Sequence, residues 1–167
     1  AGQDTIRIEG VRELKGADYQ IIPDRIEAGT FLAAAAATGG DIFVRDCQAE
    51  HLLAVLAKLT EMGARLTVKR EGVRLQAPQR LKAVDCKTLP YPGFPTDMQP
   101  QLMALMTVAE GTSVMVESIF ENRFKHAAEL RRLGADIKIE GRVAVVNGVP
   151  ALSGSTVEAS DLRAGAA

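Results

Sequence analysis

The segment Leu59-Thr60-Glu61-Met62-Gly63-Ala64-Arg65-Leu66 recurs in altered form as Leu130-Arg131-Arg132-Leu133-Gly134-Ala135-Asp136-Ile137. The two glycines, Gly63 and Gly134, are 71 residues apart. Each follows an amphipathic helical pattern and precedes the alternating pattern of a strand. A repeat of this length indicates a supersecondary unit that packs against its own copies.

The openings of the two copies also correspond, and a third opening follows near the end of the chain. Pro23-Asp24 begins one apolar run, Thr96-Asp97 begins the second, and Ser160-Asp161-Leu162 begins a third. The units cover about residues 11–77, about 82–148 and about 155–167. We therefore expect residues 1–167 to form one incomplete domain, which contains two full units and the start of a third.

Each full unit has the predicted order strand, helix, strand, helix and a two-stranded hairpin, so the expected class is α/β. Unit one has predicted elements at residues 19–22, 24–37, 41–45, 48–62, 65–69 and 73–76. Unit two has them at 83–88, 97–109, 112–117, 122–133, 136–140 and 143–147. Further strands are predicted at 5–8 and 156–159, with a helix from Asp161 onward.

The two helices of a unit differ in polarity. The first is apolar on nearly all sides, as in the run Phe31 to Ala37, whereas the second carries charges such as Lys125 and Glu129 on its outer face. A helix without a polar face is buried. We expect the first helices inside and the sheets around them, with the helix N-termini converging on one end as a seat for an anion.

Composition excludes several function classes. The apolar fraction of 47% and the charged fraction of 25% are those of a globular protein. A net charge of −1 indicates neither nucleic acid nor an anionic membrane as partner, and no apolar run is long enough to span a membrane. Cys47 and Cys86 lack metal-ligand spacing and are predicted to be buried free thiols, so no metal or cofactor is expected.

Asp97 is the first candidate for chemistry. It follows the stiff loop Pro90-Tyr91-Pro92-Gly93-Phe94-Pro95, whose three prolines hold the next residues in place. A carboxylate held there can accept a proton from a sugar hydroxyl. The alternative is a helix-start carboxylate that only complements the helix dipole.

Two further segments are candidates for binding. Arg163, after Asp161, can bind a phosphate or carboxylate through its guanidinium fork, or it can be a solvated arginine. Residues 118–124 join a strand to a helix, where ligand contacts often occur, and include Ile119 and Glu121. Helix capping and core packing are the alternative roles of that segment.

These motifs together resemble the UDP-N-acetylglucosamine enolpyruvyl transferases. The resemblance rests on four segments in order, and it extends from about residue 5 to 167. The segments are Pro23 to Phe31, Phe94 to Gln99, Phe120 to Phe124, and Leu152-Ser153-Gly154 followed by Asp161 to Ala164.

The resemblance implies an inside-out α/β barrel of enolpyruvyl-transferase type and a cytoplasmic enzyme of peptidoglycan synthesis. Such enzymes transfer the enolpyruvyl group of phosphoenolpyruvate to the 3-hydroxyl of UDP-N-acetylglucosamine. It implies that Asp97 binds the sugar nucleotide and is the base on that hydroxyl, and that Ile119 contacts the sugar nucleotide. It also implies that Asp161 and Arg163 line the cleft, with Asp161 a second candidate for proton transfer.

One departure from the family limits what this chain does alone. The family's reactive cysteine lies on a loop of the other domain, and neither Cys47 nor Cys86 matches it. We therefore expect this chain to need the cysteine-loop domain as its partner and to be inactive without it.

Two alternatives remain open at this point. One is the sister transferase that acts on shikimate 3-phosphate, against which the segment from Phe94 to Gln99 argues. The other is a non-catalytic domain that binds a nucleotide sugar or a protein partner.

Overall fold

Four helices and seven strands follow the repeat along the described part of the chain. The structure is a computed structural model that describes residues 7–159 and 162–167. The helices are α1 (Arg25–Ala37), α2 (Leu53–Glu61), α3 (Gln99–Thr107) and α4 (Lys125–Arg132). The strands are β1 (Asp41–Arg45), β2 (Arg65–Lys69), β3 (Gly72–Gln76), β4 (Cys86–Lys87), β5 (Thr112–Val116), β6 (Asp136–Glu140) and β7 (Val143–Asn147).

The strands form two sheets of matching topology. The first sheet has the order β1-β3-β2, and the second has the order β4-β5-β7-β6. In each, the hairpin pairs antiparallel with the strand that follows the first helix of its unit. Only the second sheet has an additional strand, β4, which pairs parallel with β5. The repeat predicted from the sequence is therefore present as two related α/β units.

The first helices of the two units pack against each other. Gly29 lies beside Met98 near their starts, and Ala37 and Val108 line one hollow near their ends, so α1 and α3 run in the same direction. Eight of the nine residues of α3 are buried. The prediction of an interior helix therefore holds for α3. In α1 only one side is buried, and Phe31 on the other side is 59% exposed.

Three predicted strands are wrong where the structure describes them. Residues 7–8, 19–22 and 156–159 form no strand. Gly16 and Asp18 precede the second of these segments, and neither residue type favours a strand. In the third segment the backbone N–H of Glu158 donates to the Glu129 carboxylate at 3.0 Å rather than to a neighbouring strand. Residues 5, 6 and 161 lie outside the described residues.

Several predicted elements are shorter than expected. The helix predicted at 97–109 is Gln99–Thr107, and the helix predicted from Asp161 onward is a 3₁₀ turn, Ala164–Ala166, within the described residues. The strand at 83–88 reduces to the two residues of β4, and the helix at 48–62 begins as a 3₁₀ turn, Ala49–Leu52. The helix predicted from Asn122 begins at Lys125, since Asn122 has a φ of 52°, which a right-handed helix cannot contain.

The core lies where the first helices meet the sheets. Its fully buried members include Leu32, Leu75, Met103, Met106 and Met115. Residues 7–159 and 162–167 form no closed barrel, but each unit has the helix-on-sheet layering from which such a barrel is built. None of the helices in this part of the chain has the length and apolar character required to cross a membrane.

Candidate functional site

The site lies at the end of the fold where α1 and α3 begin. Asp24 caps α1: its carboxylate accepts a hydrogen bond from the Ile26 backbone N–H at 2.7 Å. The corresponding start of α3 is different, because a 3₁₀ turn, Thr96–Met98, precedes the helix and no side chain caps it. The spacing of Thr96 and Gln99 is that of a capping box, and this expectation is wrong, since no side-chain capping hydrogen bond forms at the start of α3.

Asp97 instead accepts hydrogen bonds from two arginines. Its Oδ1 lies 3.0 Å from Arg123 Nη2 and also accepts from Arg163 Nε. These arginines come from different parts of the chain, the segment that precedes α4 and the start of unit three. All three side chains are partly buried, with exposed fractions of 35% for Asp97, 20% for Arg123 and 38% for Arg163. Two cations and one carboxylate therefore converge at this end of the fold.

Two hollows flank this cluster, and Arg163 lines both. The larger, of about 400 Å³, is lined by Asp24, Ile26, Glu27, Thr30, Phe31, Asp97, Gln101, Leu162, Arg163 and Ala166. The smaller, of about 330 Å³, is lined by Phe120, Glu121, Asn122, Arg123, Lys125 and Arg163. Three cations and one acid among the lining residues give the smaller hollow a positive character, which suits an anionic group.

The segment 118–124 is shaped by local contacts on both sides. The Arg123 guanidinium lies over the Phe120 ring at 4.9 Å, an arrangement that favours a fixed guanidinium plane. Glu121 is 80% exposed and its carboxylate pairs with Arg142 at 3.0 Å. Ile119 is half-buried, and its backbone N–H donates to the Glu117 carboxylate at 2.8 Å.

The loop before Asp97 also joins the two units. The Arg25 guanidinium, at the start of α1, lies 4.9 Å from the centre of the Tyr91 ring. Because Tyr91 belongs to the proline-rich loop, this cation–π contact fixes that loop against α1. The loop that positions Asp97 is thus held by unit one as well as by its own prolines.

The structure brings together several of the residues predicted from the sequence. Asp97 and Arg163 are in direct contact, and Glu121 lines a hollow with Arg163. Asp161 lies outside the described residues.

The prediction missed Arg123, although the residue stands within the segment Phe120 to Phe124, because an arginine at a strand-to-helix junction is also typical of a solvated surface. The sequence-based prediction also missed Glu117, because the pattern of residues 112–117 only places it at the end of a strand and indicates no role for its carboxylate.

Neither cysteine is part of this site. Both are free and buried. Burial raises the pKa of the Cys86 thiol to about 12, so the thiol carries its proton at neutral pH and is a poor nucleophile. The structure confirms the prediction that Cys47 and Cys86 are buried free thiols.

Comparisons with known sequences and with a family model all point to carboxyvinyltransferases. The sequence model of the family described as EPSP synthase (3-phosphoshikimate 1-carboxyvinyltransferase) matches residues 1–167. UDP-N-acetylglucosamine 1-carboxyvinyltransferase 1 of Caldanaerobacter subterraneus subsp. tengcongensis is 61% identical over 167 residues, which is 100% of this chain and 40% of that protein. The enzyme of the same name from Symbiobacterium thermophilum is 60% identical, over 100% of this chain and 38% of that protein. The chain thus spans about 40% of the length of the curated relatives it matches.

Solved structures share the fold. The enolpyruvyl transferase NikO from Streptomyces tendae superimposes with a TM-score of 0.74 at 28% identity, covering 87% of this chain and 35% of that one. EPSP synthase from Acinetobacter baumannii superimposes with a TM-score of 0.58 at 22% identity, covering 74% and 31%. The second likeness concerns the fold alone.

Proposed function

Because the chain belongs to the EPSP synthase family, we propose that it is part of an enzyme that transfers the enolpyruvyl group of phosphoenolpyruvate to UDP-N-acetylglucosamine. The acceptor is the 3-hydroxyl of the sugar, and inorganic phosphate leaves. The observation that carries the proposal is the cluster in which Asp97 contacts Arg123 and Arg163 beside a positively charged hollow. Both substrates carry several negative charges, and the acceptor must lose a proton.

The choice of acceptor follows from the relatives. Proteins that are 56–61% identical across the whole chain are named for UDP-N-acetylglucosamine. Two solved EPSP synthase structures are 20–22% identical over about three quarters of the chain. Shikimate 3-phosphate is therefore the weaker candidate, and it serves as the alternative acceptor in the test below.

In this proposal Asp97 accepts the proton of the sugar 3-hydroxyl. The hydroxyl oxygen then bonds to the central carbon of phosphoenolpyruvate as the methylene carbon gains a proton. Loss of a proton from that carbon and cleavage of the carbon–oxygen bond to the phosphoryl group restore the double bond and release phosphate, which finally takes up the hydroxyl proton. Arg123 and Arg163 hold the Asp97 carboxylate before the substrate enters. In the proposal they then pair with anionic groups of the bound substrates. The N-termini of α1 and α3 add partial positive charge at the same end.

The remaining site residues are assigned by proposal as well. Ile119 contacts the sugar nucleotide, and Glu121 lines the smaller hollow beside it. Asp161 is a second candidate for proton transfer, because its neighbours Leu162 and Arg163 line the larger hollow. The proposed place of action is the cytoplasm, where the first committed step of peptidoglycan synthesis occurs.

The experiment is a phosphate-release assay on the complete protein that contains this chain. It is run with phosphoenolpyruvate and either UDP-N-acetylglucosamine or shikimate 3-phosphate. We expect release only with the sugar nucleotide. Release only with shikimate 3-phosphate assigns the protein to the sister activity, and release with neither acceptor rejects enolpyruvyl transfer.

We further propose that residues 1–167 form one incomplete domain and are inactive alone. The partner that completes the site is the domain carrying the reactive cysteine loop, because neither cysteine of this chain lies at the site. Turnover by the isolated 167-residue chain with both substrates would reject this part of the proposal.

A further inference from the structure

Glu117 is a buried carboxylate that stands just outside the site. Its side chain is 1% exposed, and it follows β5 directly. Oε1 accepts hydrogen bonds from Thr88 Oγ1 at 2.9 Å and from the backbone N–H groups of Ile119 and Phe120 at 2.8 and 3.1 Å. Oε2 accepts from Thr96 Oγ1 at 2.8 Å. Four donors thus satisfy one carboxylate.

These donors belong to three separate segments. Thr88 follows β4, Thr96 begins the turn that contains Asp97, and the two amides belong to the turn after β5. The Thr88 hydroxyl donates to Glu117 while it accepts from the Ser118 backbone N–H at 2.9 Å. The direction of each hydrogen bond in the network is therefore determined, since the carboxylate can only accept.

Burial of a carboxylate costs free energy because the charge loses its hydration. A protein with an apolar residue of similar size at such a position is often as stable or more stable. What a fully satisfied polar network provides is a unique geometry. Here the residues it fixes adjoin the proposed machinery. Thr96, which donates to Glu117, directly precedes Asp97 in the chain. The backbone N–H of Ile119 also donates a hydrogen bond to Glu117.

We propose that Glu117 is a positioning residue, which holds the Asp97 turn and the Ile119 turn at a fixed separation. The inference rests on the proposed function, because it assigns Glu117 a part in placing the base against the sugar nucleotide. Glu117 itself contacts no substrate. It acts on Asp97 through Thr96 and on Ile119 through the backbone.

The first test uses Thr96 in the complete protein. Thr96→Val removes the hydroxyl that donates to Glu117 and keeps the side-chain shape, whereas Thr96→Ser keeps the hydroxyl. We expect Thr96→Val to lower kcat/KM by about 10- to 100-fold, as misplacement of a reacting group does, and Thr96→Ser to restore it to within about threefold. Thr60→Val is the matched control, because that hydroxyl donates to Leu56 O on α2, away from the site. Equal activity of Thr96→Val and Thr60→Val would overturn the inference.

The second test separates positioning from a general structural role. Glu117→Gln is measured alone and combined with Asp97→Asn, using whichever acceptor the wild-type protein turns over. If Glu117 acts through Asp97, its substitution lowers kcat by about 10-fold in the wild type and by less than about threefold in the Asp97→Asn background. An equal loss in both backgrounds would overturn the inference, whichever acceptor is used.

A third readout does not depend on turnover. Amide hydrogen exchange of Glu117→Gln is followed in peptides that cover residues 96–98 and 118–120, with the β2–β3 hairpin as internal control. We expect amide exchange to be about tenfold faster in both site segments and unchanged in the β2–β3 hairpin. Unchanged exchange at both segments rejects the positioning role even if the protein proves to use another acceptor, so the two failures are distinguishable.

Discussion

Gln101 Nε2 donates a hydrogen bond to Thr30 Oγ1 at 3.0 Å, and the two residues are 71 positions apart. The strands that follow their helices begin at Asp41 and Thr112, which are also 71 positions apart. Thr30 and Gln101 therefore occupy corresponding positions of the two units, and the units meet through matching helix faces. This contact places the starts of α1 and α3 side by side, which brings the Asp24 and Asp97 ends together.

Asp97→Asn is expected to lower kcat of the complete protein by about 10²- to 10⁴-fold, since an amide cannot accept the hydroxyl proton. The assay is phosphate release with both substrates. Asp136→Asn is the control, because that carboxylate is exposed on β6 and pairs with Asn147 at 2.9 Å. An Asp97→Asn enzyme that retains wild-type kcat would show that Asp97 is not the base.

Asp24→Ala is expected to lower the free energy of unfolding by about 1 kcal/mol, because it removes the cap of α1. Asp24→Asn should lower the free energy of unfolding by only about 0.3 kcal/mol, since asparagine and aspartate are about equally good N-cap residues. Denaturant titration of the complete protein measures both. Equal stabilities of the alanine and asparagine variants would mean that the capping hydrogen bond contributes nothing.

Gly148→Ala is expected to destabilise the protein by about 1–3 kcal/mol or more, because overpacking forces the backbone to shift. A Cβ at residue 148 would lie 1.6 Å from the carbonyl oxygen of Ala109. Gly154→Ala is the matched control, since nothing lies within 4 Å of its Cβ position. The melting temperatures of the two variants compare them directly, and a Gly148→Ala protein as stable as Gly154→Ala would contradict the packing described.

Cys86 is expected to resist alkylation at pH 8, because burial raises the pKa of its thiol to about 12 and the thiolate is the reactive form. The folded pKa exceeds the ordinary value of 9.0. Stability that is present below about pH 9 is therefore lost as the pH rises toward 12. Iodoacetamide labelling followed by mass spectrometry checks this, with Cys86→Ala identifying the adduct. Labelling of Cys86 as fast in the folded protein as in urea would be inconsistent with its burial.

The elements with a clear period were predictable. Strands β2, β3 and β6 alternate apolar and polar residues, and the structure confirms both predicted hairpins, 65–76 and 136–147. The family also follows from the sequence, because several motifs occur in order. Boundaries failed where one backbone angle decides the outcome, as at Asn122.

The contacts of the site were not predictable from one sequence. Spacing suggests that Thr96 caps a helix, but its hydroxyl donates to Glu117, which is 21 residues away. The partners of Asp97 are 26 and 66 residues distant along the chain. Such contacts depend on how the units pack, and local propensity contains no information on that.

The central claim is that the carboxylate of Asp97 receives the proton of the sugar 3-hydroxyl. The most direct measurement is a crystal structure of the complete protein with bound UDP-N-acetylglucosamine. We predict that an Asp97 carboxylate oxygen lies within about 2.6–3.2 Å of the 3-hydroxyl oxygen, the range required of a general base. A sugar nucleotide bound with its 3-hydroxyl away from Asp97, and that carboxylate still held by Arg123 and Arg163, would contradict the claim.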